Sequence, residues 1–200
     1  MGLTSPRLRY LLLTGIDDSI LRTIANLSDF VCDEDTLYFL PLGGSGEVGM
    51  NLNLYGINDK WVIVDIGITF GDEFSPPGID VICPDISSLL SIQNRIIGIL
   101  ITHAHEDHVG GLHYLWRQLK APVYCTAFTA TVAKRKLKEV GLLDRVPMHE
   151  ILPGSTIKLG DMTIEWLSLT HSVPEANGLV IEALGELVFH TGDWKLDPHP

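Results

Sequence analysis

Between positions 103 and 108 the chain reads His103-Ala104-His105-Glu106-Asp107-His108, which places four metal-ligating side chains, His103, His105, Asp107 and His108, within six residues. Imidazole nitrogens mixed with a carboxylate suit a borderline divalent ion such as zinc. Two more residues stand where they could complete a site. His171 follows the alternating run Ile164 to Leu169 at the mouth of a loop, and Asp193 follows the run Glu186 to His190. A carboxylate offers two oxygens, so Asp193 could serve two ions at once. Asp65 closes the run Trp61 to Val64, a position from which it would orient the ligand loop rather than bind metal itself. His113, His149, His190 and His199 show no partner spacing and read as structural or solvated.

These side chains need elements that converge on one point. The short, β-branched run Arg95 to Ile101 reads as a buried strand, and Gly110-Gly111 opens into helical spacing from Leu112 to Leu119. The histidine cluster therefore falls on a strand-to-helix loop. Further strands are expected at Leu37 to Leu42, Asn51 to Tyr55, Trp61 to Asp65, Val123 to Cys125, Ser155 to Leu159, Met162 to Leu169, Gly178 to Ala183 and Glu186 to His190. Turn chemistry at Gly43-Gly44-Ser45-Gly46 and at Gly56-Ile57-Asn58-Asp59 separates the first three. The first of these stretches lacks the Lys-Ser/Thr of a phosphate loop and precedes a strand, so it reads as a tight β-turn. A helix is expected from near Thr126, its run Lys134-Arg135-Lys136-Leu137-Lys138 forming a solvated face. Ser19 to Leu27 has helical spacing. Residues 1–35 look like an extension outside the main domain, which occupies 36–200. Strands at both ends with helices between them predict a mixed α/β layer architecture.

Of the 200 residues 46% are hydrophobic, enough for one domain with a real core, and the net charge of -11 argues against a surface that coats nucleic acid non-specifically. Cys32, Cys83 and Cys125 are scattered and odd in number, so they read as buried small hydrophobes in a reducing cytoplasm. The apolar stretch Tyr10 to Ile16 is too short for a signal peptide and lacks a cleavage site; no run suits a membrane span.

Taken together, Asp65, the His103/His105/Asp107/His108 cluster, His171 and Asp193 resemble the metallo-β-lactamase superfamily. Within it the chain looks most like the ribonuclease J group of the β-CASP nucleases. The narrower likeness rests on Pro41-Leu42-Gly43-Gly44-Ser45-Gly46-Glu47-Val48-Gly49-Met50-Asn51, Pro84-Asp85-Ile86-Ser87, His171-Ser172-Val173-Pro174-Glu175 and Thr191-Gly192-Asp193-Trp194-Lys195. The resemblance implies an α/β four-layer αβ/βα sandwich, here incomplete at its C-terminus and ending before any β-CASP insertion. It implies two zinc ions per complete site: one held by His103, His105 and His171, the other by Asp107 and His108, with Asp193 bridging. A further histidine that the family would supply has no match, and His199 is a poor substitute.

By the same resemblance the substrate is RNA, its phosphodiester bonds hydrolysed by a metal-activated hydroxide with Asp107 and Asp193 as the catalytic carboxylates. Partners would be a second copy of the chain or a missing C-terminal half, without a membrane. Two other readings stay open. A small-molecule metallo-hydrolase, such as a glyoxalase-like thioesterase or lactonase, shares the cluster, and a non-catalytic remnant would keep ligands without a complete site.

Overall fold

The computed structural model describes residues 7–10 and 27–197. Its larger sheet contains β1 (Arg7–Tyr10), β2 (Thr36–Gly43), β3 (Leu52–Ile57), β4 (Lys60–Val64), β7 (Ile96–Leu100), β8 (Val123–Cys125) and β9 (Met148–Glu150), in the order β1-β2-β3-β4-β7-β8-β9. A short ribbon of β5 (Thr69–Phe70) and β6 (Val81–Ile82) lies between β4 and β7 in the chain. The smaller sheet is an antiparallel meander of β10 (Thr156–Leu159), β11 (Met162–Ser168), β12 (Asn177–Ala183) and β13 (Glu186–His190).

In the larger sheet β2, β3 and β4 pair antiparallel, whereas β4, β7, β8 and β9 run parallel. Parallel neighbours need crossovers. These contain a 3-10 segment (Ser87–Arg95), α1 (Glu106–Val109) with α2 (Leu112–Leu119), and α3 (Ala127–Glu139). The crossover elements cover one face: α2 buries Leu112, Leu115, Trp116 and Leu119, the spacing of one helix face, and α3 buries Thr129, Ala130, Ala133 and Leu137. The smaller sheet covers the other face.

Strand alternation divides the core accordingly. On β4, Trp61 and Ile63 belong to the helix-side cluster, while Val62 and Val64 meet Met162, Ile164, Trp166, Leu179 and Ile181 between the sheets. Each fully buried large apolar side chain contributes about 1.5–3 kcal/mol over its exposed state, so these two interfaces hold the layers in register. The interior strand β3 buries all six of its residues, as a strand covered on both faces must.

Three of the four expected layers are thus present: helices, large sheet, small sheet. No helix of the described residues covers the outer face of the small sheet, where Leu167, Leu187 and Phe189 are 41%, 69% and 47% exposed. No described helix is long and apolar enough to cross a membrane.

Several expectations need correction. In its described part the segment 1–35 joins the domain: β1 pairs parallel with β2, Leu27 and Cys32 are buried in the core, and the Phe30 ring packs on Tyr38 and Trp61. Most of the helix expected from Ser19 lies outside the described residues; Leu27 starts a 3-10 turn. Gly56 is not in a turn but inside β3, pressed against the next strand, where a methyl group would stand 2.5 Å from the Trp61 ring. The turn is left to Asn58 and Asp59, both with positive φ, the two-residue connection favoured between antiparallel strands. The basic run is a solvated face in part: Arg135 and Lys138 are exposed, while two of its lysines have partners. Lys134 pairs with Glu150 at 2.5 Å and Lys136 with Glu106 at 2.5 Å. The thiols of Cys32 and Cys125 are pushed up to about 12, first by burial, so they behave as small apolar side chains.

Candidate metal centre

The ligand-type residues meet where the ends of β4 and β7 approach the loops of the small sheet. Asp65 ends β4 in a left-handed backbone conformation, φ 62°, and is fully buried. Its carboxylate accepts the Thr102 backbone N–H at 2.8 Å, the Thr102 hydroxyl at 2.9 Å and the His108 Nδ1–H at 2.7 Å. The Thr102 hydroxyl, having given its proton to Asp65, takes one from His103 Nδ1 at 3.0 Å. One buried carboxylate therefore fixes both rings with their Nε2 atoms turned toward the centre, the orienting role that carboxylates play behind metal-binding histidines.

The loop itself is set by α1. His105 occupies the N-cap position, and His108 N–H bonds back to the His105 carbonyl at 3.0 Å. Asn51, just before β3, holds this turn, its side-chain amide donating to the Asp107 carbonyl at 3.1 Å and lying 3.2 Å from His108 Nε2. Gly67 allows the approach: a methyl group there would fall 1.7 Å from the Asp107 carbonyl oxygen.

His171 and Asp193 arrive from the small sheet, after β11 and β13. His103 Nε2 and His171 Nε2 each lie 3.1 Å from His105 Nδ1, and the three rings stand edge to face with centroids 4.8 to 4.9 Å apart. A tetrahedral ion bound about 2.0–2.1 Å from each nitrogen separates them by about 3.3 Å, so the spacing suits one. Asp193 sits at the junction, Oδ1 3.5 Å from His108 Nε2 and Oδ2 3.8 Å from His171 Nε2.

The carboxylates draw positive charge to the centre, and burial keeps the His103 ring neutral with a lone pair to offer. Burial and the neighbouring rings push His103 down to about 4, and the His108 contact takes Asp193 to about 2. The same His108 contact keeps Asp107 below the usual carboxylate range. Burial opposes charge on His108, yet Asp65, Asp107 and Asp193 outweigh it and push the ring up to about 12. A positive charge is thus wanted at this point among three carboxylates.

Two groups of donors come within ligating reach of a common point: His103, His105 and His171, and His103, His108 and Asp193. The first is the set expected from resemblance. The second differs from expectation, because His103 is common to both groups. Asp107 stands beside the second, 3.5 Å from His108 Nε2, without forming such a triad. Sequence reasoning missed Asn51 and Thr102 as site residues and gave His190 no role. His190 accompanies Asn51, Asn53, His108 and Asp193 in lining a cavity of about 290 Å³ beside the centre, and its Nδ1 lies 3.1 Å from the Tyr55 hydroxyl. Gly44 and Ser45 rim the same cavity: the expected tight β-turn is an eight-residue loop, 44–51, between β2 and β3. His199 lies outside the described residues.

Residues 77–199 match the beta-lactamase superfamily domain. Two solved structures share the fold. The metallo-beta-lactamase fold protein YhfI from Bacillus subtilis superposes with a TM-score of 0.56 at 16% identity, covering 80% of this chain and 63% of that one. A Cronobacter sakazakii metallo-beta-lactamase with a HARLDQ motif gives 0.54 at 17%, covering 81% and 62%. The chain belongs to the metallo-β-lactamase superfamily. Among curated proteins it is similar to ribonuclease J of Sinorhizobium meliloti, 43% identical over 177 residues, which covers 86% of this chain and 31% of that protein. Ribonuclease J of Thermus thermophilus is 34% identical over 174 residues, covering 84% and 30%, and that of Helicobacter pylori 37% over 161 residues, covering 80% and 23%. The chain spans less than a third of the length of these relatives.

Proposed function

We propose that this chain is the metal-binding part of a zinc-dependent ribonuclease that hydrolyses RNA phosphodiester bonds. The observation that carries the reading is the place of Asp193, one carboxylate reaching toward His171 with one oxygen and toward His108 with the other. That arrangement suits a pair of ions: His103, His105 and His171 would hold one, His108 and Asp107 the other, with Asp193 between them. Bound there, the pair supplies Lewis acidity and a nucleophile available at neutral pH. The choice of RNA rests on the likeness to ribonuclease J.

The chain's own residues prepare the site for such a substrate. Asp65 and Thr102 fix two rings before anything binds, so no reorientation is needed during reaction. Asn53 lines the adjoining cavity with a side-chain amide suited to phosphodiester oxygens, while the Asn51 amide is engaged with Asp107 and His108. Three free cysteines, Cys32 and Cys125 buried and Cys83 partly so, fit a cytoplasmic location. The partners that fit are RNA and either a second copy of the chain or further parts of a longer protein.

The test uses purified protein, zinc and a 5′-monophosphorylated single-stranded RNA, with Asp193→Ala as the variant. Cleavage should fall by more than the about 10–100-fold that removal of a partner behind a metal ligand costs, while RNA binding persists. Near-unchanged cleavage by Asp193→Ala would refute the assignment. Turnover of a thioester or lactone with RNA left intact would move the chain to the small-molecule hydrolases.

A further inference from the structure

Two acidic residues next to the ligands are tied to a single helix. Glu106 lies between His105 and Asp107, and both of its carboxylate oxygens receive Lys136 Nζ, at 2.5 and 2.7 Å. Lys136 sits in the last turn of α3 with its side chain only 18% exposed. Glu175 closes the His171 loop with φ 53°, and its Oε2 accepts the backbone N–H of Phe128 in the first turn of the same helix at 2.8 Å.

That second contact fills a gap. Thr126, at the N-cap of α3, makes no capping bond with its side chain, and the first turn contains no acidic residue. Helix N-termini leave amides unsatisfied and favour negative charge, so a carboxylate from another loop stands where a cap would. The helix itself is a fixed reference, since Thr129, Ala130, Ala133 and Leu137 seat it on the large sheet. Phe128 and Lys136 are eight residues apart, about 12 Å along the axis.

We propose that α3 is the brace of the metal centre: it grips Glu106 through Lys136 and Glu175 through the Phe128 amide, holding the two ligand loops, which belong to different sheets, at a fixed separation. Lys136 and Glu175 are positioning residues that act through His105, Asp107, His108 and His171. The inference rests on reading the histidine cluster as a metal centre. Lys134 provides an internal comparison, because it pairs with Glu150 at the same 2.5 Å from the same helix while its partner neighbours no ligand.

The experiment is a Co2+ titration of metal-stripped protein, followed by its visible absorption, with thermal melts to confirm folding. Lys136→Met, Glu106→Gln and Glu175→Ala should each weaken Co2+ binding by about 10–100-fold, the effect of losing a partner behind a metal ligand. Lys136→Arg should retain most of the affinity, and Lys134→Met should leave it unchanged. Glu106→Gln combined with Lys136→Met should cost no more than either alone, as expected for two ends of one interaction. Folded Lys136→Met and Glu175→Ala proteins that bind Co2+ like the parent would overturn the brace while leaving the metal centre standing. So would an equal loss in Lys134→Met. A parent protein that takes up no Co2+ would remove the metal-centre reading itself.

Discussion

Gly67 sets the tolerance of the site at the scale of one residue. With 1.7 Å between an added methyl group and the Asp107 carbonyl oxygen, Gly67→Ala must push α1 away from the end of β4. Overpacking of this kind costs about 1–3 kcal/mol, and here the displaced backbone belongs to Asp107. The expected result is a lower urea midpoint together with loss of Co2+ binding; a variant with parent-like metal affinity would contradict the described approach of the two loops. Four of the candidate ligands, His103, His105, Asp107 and His108, were legible in the sequence because they fall within six residues in chemistry that few other functions need. Asn51 and Thr102 were not, although they fix the same loop. Neither side chain ligates metal by habit, and Asn51 reaches His108 across 57 positions of chain. Their roles exist only once β3 lies against the turn of α1.

Elements show the same division between local signal and tertiary context. The helices at Leu112–Leu119 and Ala127–Glu139 follow the sequence periodicity closely, since each has one apolar face with a well-marked start. β1, β5, β6 and β9 escaped notice, being two to four residues long with too little pattern to separate them from loops. Gly56 misled for a definite reason. Glycine in a run of Gly-Ile-Asn-Asp reads as a turn, yet here its missing side chain makes room for the Trp61 ring. Gly56→Ala should therefore destabilise the domain by about 1–3 kcal/mol in urea unfolding. It should leave Co2+ affinity unchanged, because the Asn58-Asp59 end of the hairpin is the one opposite Asn51 and Asp65. A change in metal affinity without a change in stability would show that the hairpin does more than support the core.

For the whole molecule, the outer face of the small sheet matters most. Leu167 lies opposite Gly178 on the neighbouring strand, the Phe189 ring packs over that glycine, and Leu187 is exposed two residues away. An apolar strand face of this kind, next to an edge, favours association. The 200-residue chain should self-associate in sedimentation velocity, and Leu187→Lys with Phe189→Lys should shift it toward monomer without altering Co2+ binding. A parent chain that is monomeric at high concentration would rule this out. The apolar character of β13 was readable from sequence; which of its faces meets a neighbour was not, because that depends on the layer above.

The candidate ligands come from both sheets, and this has a mechanical consequence. His103, His105 and His108 are carried by the large sheet, His171 and Asp193 by the small one, and between the sheets lies apolar packing, with Val62 and Val64 against Ile164 and Leu179. An ion at the rim would act as a rivet across two plates. Its occupancy would then be a term in folding: at 100 times the dissociation constant it would add about 2.7 kcal/mol to the joined state. Chelation should accordingly lower the melting temperature and loosen the small sheet first, seen as faster hydrogen exchange in β11 and β12 than in β3 and β4.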